Sequence, residues 1–130
     1  MTTIIPSYIQ GSWFTPETDA GARLVRDAAT GEPIARVSSA GLDLAGALHY
    51  ARTVGQASLG QLTFHERALL LKQMAQALTA RKSELYELSS RTGATKNDSM
   101  VDIDGGIGVL FTYSSKGRRE MPNTTVYLDG

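Results

Sequence analysis

The spacing of apolar residues changes part-way along the chain, dividing it into a β-patterned start and a helical remainder. Tyr8-Ile9 and Trp13-Phe14 are β-favouring pairs on either side of Gln10-Gly11-Ser12, where Gly11 can take the positive φ of a tight turn. A second pair, Ala22 to Arg26 and Ile34 to Val37, flanks Asp27-Ala28-Ala29-Thr30-Gly31-Glu32-Pro33, a segment rich in turn formers. Residues 1–38 therefore read as a ribbon of hairpins.

From Ser39 the apolar period lengthens to three and four residues. Leu44, Leu48, Ala51 and Val54 fall on one helical face, which Gly55 and Gly60 weaken. A second helix is expected to open at Thr63-Phe64-His65-Glu66, with Thr63 and Glu66 forming a capping box. Its apolar stripe is Leu70, Met74, Ala77, Leu78, Leu85 and Leu88. Arg67, Lys72, Arg81, Lys82, Glu84 and Glu87 are left mostly to solvent. Gly93 is placed to end this helix, which should be the longest element.

A third helix is predicted to start at Asn97 to Ser99 and to carry Met100, Ile103, Ile107, Leu110, Phe111 and Ser114 on one side. Gly105, Gly106 and Gly108 oppose it, each costing about 0.5–1 kcal/mol against alanine, and suggest close approach by another backbone. Pro122 ends the helix, and Thr124 to Leu128, running into Asp129-Gly130, reads as a strand or tail. The fold class expected is α+β: hairpins over 1–38, about three amphipathic helices over 39–121, and a terminal segment over 122–130. No internal repeat or low-complexity linker points to two complete domains.

Charge and composition remove several function classes. Thirteen basic residues balance thirteen acidic ones, so no net field draws the chain to nucleic acid or an anionic membrane. No membrane-spanning run or signal-peptide pattern is visible, and a cytoplasmic location is the expectation. The chain has no cysteine, hence neither disulfide nor thiolate nucleophile.

Candidate chemistry is thin. Gly105-Gly106-x-Gly108 has the spacing of a phosphate loop but follows a helical pattern instead of a strand, so the helical reading is preferred. His49 and His65, the two imidazoles, lack a partner set for base or metal chemistry and read as partly exposed polar residues. Asp102 and Asp104 are two apart and point to different sides of a helix. Ser89-Ser90 and Ser114-Ser115 lack a nucleophile elbow and read as solvated or capping serines. Trp13, Phe111 and Tyr113 are expected to fill a core or an interface.

Three segments together resemble the aldehyde dehydrogenase superfamily: the hairpin around Tyr8-Ile9-Gln10-Gly11-Ser12-Trp13, the segment Asp27 to Ala35, and Leu62 to Lys72. Asp27-Ala28 departs from the Asn-Pro that usually opens the second of these. Arg91 to Thr95 and Asp98 to Ser115 are similar to the phenylacetate-degradation ring-opening enzymes, which fuse an aldehyde dehydrogenase to a hydratase-like domain, and to related semialdehyde dehydrogenases of coenzyme A-linked aromatic breakdown.

The resemblance implies a parent that oxidises a semialdehyde to an acid with NAD(P), of which this chain is expected to be the N-terminal quarter to third. The implied thiolate, activating glutamate and complete dinucleotide site find no counterpart here, so no catalytic, cofactor-binding or metal residue is expected, and the chain alone is expected to be inactive. In relatives the early strands build a ribbon-like oligomerisation region and the helices pack on the cofactor domain. Asp102 aligns with an acidic residue that in some relatives lies near a structural monovalent cation. Self-association, or association with full-length relatives, is the partner expectation, with no nucleic acid and no membrane. A stand-alone oligomerisation module derived from the fold is the alternative.

Overall fold

Gln10 and Gly11 both adopt positive φ, 52° and 79°, the pairing that a type I′ turn requires and that matches the twist of the strands it joins. They connect β1 (Ser7–Ile9) and β2 (Ser12–Phe14), antiparallel strands in which Tyr8 faces Trp13. Those two rings meet edge to face at 5.1 Å, and the Tyr8 hydroxyl donates to the Gly11 carbonyl at 3.0 Å. A Cβ at Gly11 would also lie 2.8 Å from the Tyr50 hydroxyl oxygen, so the end of that side chain would have to shift.

The computed structural model describes residues 2–18 and 21–128, in two compact units, Met1–Gln56 and Ala57–Gly130. In the first unit, β3 (Arg23–Arg26) and β4 (Pro33–Val37) form a second antiparallel hairpin with an irregularity between Val25 and Arg26. Asp27 organises its turn: Oδ1 accepts from the backbone N–H of Ala29 at 2.8 Å and of Thr30 at 3.1 Å. The chain start adds a feature that local pattern did not reveal. Thr3 to Ile5 run parallel to β4, with Ile5 N–H donating to the Arg36 carbonyl at 2.9 Å and Arg36 N–H to the Thr3 carbonyl at 3.0 Å.

Helix α1 (Leu44–Tyr50) is capped by Asp43, whose Oδ1 accepts from Gly46 N–H at 2.8 Å. A π-helical turn, Ala51–Gly55, follows, and then α2 (Gln56–Gly60). The predicted apolar face here is not a buried one, since Leu44, Leu48 and Val54 are all exposed. The Thr53 hydroxyl bonds the His49 carbonyl at 2.9 Å, competing with the backbone ladder where the helix widens.

The second unit is built on α3 (Phe64–Ala80) and α6 (Gly105–Glu120). The capping box at Thr63 forms as expected: Thr63 Oγ1 accepts from Glu66 N–H at 3.2 Å, and Glu66 Oε2 accepts from Thr63 N–H at 2.7 Å. The long helix expected up to Gly93 breaks instead at Arg81 (φ −105°, ψ 17°), which separates α3 from α4 (Lys82–Ser90). Gly93 does take the left-handed conformation, φ 86°, in the turn after α4. The next helix starts earlier than predicted. Thr95, not Asn97 to Ser99, caps α5 (Lys96–Ser99) with Asp98 in a second capping box, and a π-helical turn, Met100–Asp104, leads into α6.

The chain that follows α6 is not a strand through Leu128. No neighbouring strand offers it a ladder among the described residues, so β propensity has nothing to act on. It is tied instead to the start of α3: Phe64 N–H donates to the Thr124 carbonyl at 3.0 Å, and Arg67 reaches the Thr125 carbonyl at 3.1 Å. Asp129 and Gly130 lie outside the described residues.

Candidate functional site

The core of the helical unit is a seam built mainly from small residues, with Ile107 beside them. Ala68 and Ala75, two turns apart on α3, are 3% and 0% exposed, and Ile107 and Ser114 on α6 are similarly buried. A Cβ on Gly117, one turn beyond Ser114, would come within 3.0 Å of the Ala68 Cβ. The two helices run antiparallel and touch almost backbone to backbone there, which is why Ser114 is buried and not a solvated or capping serine.

This seam reverses part of the predicted burial. Of the stripe expected to be core, Leu70 and Met74 on α3 and Leu88 on α4 are exposed, while Leu78 and Leu85 are half-buried. An open groove of about 440 Å³ results, lined by Leu59, Phe64, Leu71, Met74 and Tyr113 among others. Arg67 sits at one end but is committed: its Nε donates to the Leu62 carbonyl at 3.0 Å and its guanidinium lies 5.0 Å from the centre of the Phe64 ring. The expectation that Arg67 is left to solvent is therefore corrected. Such a surface suits apolar contact and has no donor pair with which to polarise a carbonyl.

A more polar recess at the start of α3 collects Thr63, His65, Glu66, Arg118 and Asn123. Its acid–base groups are already engaged. His65 Nε2 lies 2.9 Å from the Met121 carbonyl, to which it must donate, and the Glu66 carboxylate completes the cap. His49, on α1, is exposed and belongs to the other unit.

The remaining candidates are dispersed. Gly105, Gly106 and Gly108 lie within a helical run, and Gly105 N–H bonds the Val101 and Asp102 carbonyls. With their backbone donors in a helix and no strand before them, these residues do not fit a dinucleotide phosphate. Nor does another backbone approach them, since a Cβ at any of the three would meet nothing within 4 Å outside the helix. Asp102 is exposed in the π turn, and no cluster of three or more His, Cys, Asp or Glu among the described residues could hold a metal. Ser90 donates to the Glu87 carbonyl at 2.7 Å, while Ser99, buried, donates to Ser89 at 2.9 Å. Trp13, Phe111 and Tyr113 are exposed, so none fills a core within this chain.

Lys82, expected to be left to solvent, instead meets Asp104. Its ammonium lies 2.7 Å from Asp104 Oδ1, and the Tyr86 hydroxyl donates to Oδ2 at 3.2 Å. Oδ1 is sealed from water and meets no well-angled hydrogen-bond donor, so the adjacent ammonium is the group that offsets its charge. Direct contact with Asp104 raises the Lys82 pKa above the usual lysine value. Burial first, and then the Asp104 charge, raise the Tyr86 hydroxyl. Nothing in the local pattern announces this cluster, because Tyr86 and Asp104 are 18 residues apart.

A family model described as "Aldehyde dehydrogenase family" matches residues 13–129. The chain is also similar to a 3,4-dehydroadipyl-CoA semialdehyde dehydrogenase from Aromatoleum evansii, at 39% identity over 115 residues. That alignment covers 88% of this chain and 22% of the relative, so the chain spans about a fifth of that protein's length.

Proposed function

This chain belongs to the aldehyde dehydrogenase family, and from that premise we propose that it supplies the N-terminal, non-catalytic portion of an NAD(P)-dependent enzyme that oxidises a coenzyme A-linked semialdehyde to its acid. The observation that carries this reading is the match to a semialdehyde dehydrogenase across most of this chain but only a small part of the relative. The absence of cysteine from the chain supports it, as does the engagement of His65 and Glu66 in structural bonds. Substrates of phenylacetate-type aromatic degradation are favoured by the string from Asp98 to Ser115. The contribution of the chain is surface. The ribbon offers an exposed Tyr8–Trp13 pair for assembly, and the groove beside α3 and α6 offers an apolar face for the cofactor domain.

The test has two arms. The purified chain, given an aldehyde with NAD or NADP, is expected to form no reduced nicotinamide. A chimera in which it replaces the matching segment of the Aromatoleum evansii enzyme is expected to fold and turn over. Turnover by the chain alone that disappears when one of its own side chains is replaced would overturn the proposal.

A second reading, a stand-alone oligomerisation module, is favoured by the same exposed apolar residues. Light scattering separates the two: a defined oligomer of the isolated chain supports the module, and a heterogeneous sample supports a segment that needs the rest of the fold.

A further inference from the structure

We propose that Lys82 and Tyr86 form a latch on Asp104 that keeps the glycine-rich start of α6 helical, so that releasing it lets residues 105–110, Ile107 included, unwind from the seam while its other end, where Ser114 and Gly117 meet α3 at Ala68, stays closed. Lys82, Tyr86 and Ser89 lie at helical spacing on one face of α4 and meet the run that leads into α6 at two points. Ser89 receives the Ser99 hydroxyl, and Lys82 and Tyr86 take one oxygen each of Asp104. Asp104 is the last of these ties before Gly105 and Gly106, and Ile107 is the one buried side chain between it and Ser114.

Two local features favour unwinding here. Glycine holds a helix poorly, and the preceding turn, Met100–Asp104, is π-helical, a form much rarer than the α-helix. The latch is also unlike the other ion pairs. Arg81 with Glu84, Arg91 with Glu87 and Lys116 with Glu120 each join neighbouring turns and stand largely in water. Lys82 and Tyr86 join separate segments, and the Asp104 oxygen facing Lys82 is sealed from solvent.

Amide hydrogen exchange on the intact chain tests this directly. Lys82→Met and Asp104→Asn are each expected to speed exchange across residues 105–110 roughly tenfold, the scale of losing a bond to a charged group, with the amides around Ala68 on α3 unchanged. The double variant should exchange no faster than the faster single one, because both remove the same contact. If Asp104→Asn does not fold, Lys82→Met and Tyr86→Phe leave the carboxylate in place and carry the test. Unchanged exchange at 105–110, equal acceleration around Ala68, or additive effects in the double variant would overturn the latch.

Discussion

One substitution made at two places on α6 should change stability in opposite directions. At Gly106 an added Cβ enters open space, so Gly106→Ala gains only the helix-propensity difference, about 1 kcal/mol. At Gly117 the same Cβ would lie 3.0 Å from that of Ala68, where carbon atoms prefer about 3.5–4.0 Å. Ala68 is buried and its Cβ is fixed to the α3 backbone, so relief requires the two helices to part by a few tenths of an ångström. Overpacking of this kind costs about 1–3 kcal/mol. Set against the same propensity gain, Gly117→Ala should be about 1 kcal/mol less stable than the parent, and Gly117→Val, with two further methyl groups, about 2–3 kcal/mol. Urea unfolding followed by circular dichroism reads both signs. The alanine variants should differ by about 2 kcal/mol, or roughly 8–16 °C in melting temperature for a unit of this size. A Gly117→Ala protein as stabilised as Gly106→Ala would mean that α3 and α6 do not meet at this seam.

Other outcomes can be checked on the same samples. Thr63→Ala removes one half of the α3 capping box and should cost about 1 kcal/mol in urea unfolding, whereas Thr3→Ala, whose part in the fold is its backbone carbonyl, should change little. At high pH, Lys82 and Tyr86 act with one sign. Both folded pKa values are raised, so their stabilisation is complete below the unfolded values, near 10, and is lost as pH rises through the folded ones. Melting temperature should therefore fall above about pH 10 in the parent and fall less steeply in Tyr86→Phe. Asp98 has the opposite sign. Its bonds with the Thr95 side chain and backbone lower its pKa below the ordinary 3.8, so its contribution is present above that value and lost as pH falls below it, and Asp98→Asn should flatten the acid limb of a melting-temperature profile.

Local chemistry made much of the fold readable from residues alone. The Gln10-Gly11 turn, the Asp27 turn and the Thr63 cap each depend on side chains within a few positions of one another, and all three form. Burial was less readable, because apolar periodicity marks a helix but does not say which face a partner will cover. On α3 the covered face is the one bearing Ala68 and Ala75, and the larger residues Leu70 and Met74 point away from it. The signal for this was the seven-residue spacing of the small residues Ala68 and Ala75 on α3, together with Ser114 and Gly117 on α6. Contacts between distant positions, such as Tyr86 with Asp104, left no local trace. Apolar sites that look like core yet stand exposed are what a segment of a larger family fold would be expected to show.

The parallel pairing of Thr3 to Ile5 with Arg36 imposes an order of events during synthesis. The β1–β2 hairpin closes over neighbouring residues and can form within microseconds of its strands becoming available. Residues 3–5 have no such local partner: they wait for β4, which at ordinary translation rates is made roughly two to six seconds later. For that interval a short stretch containing Ile4 and Ile5 is available to other chains, and Pro6, which has no N–H to offer a pairing strand, bounds it at the C-terminal side. Residues 3–5 are thus made before the β1–β2 hairpin yet find their place only after β4, when that hairpin has already closed.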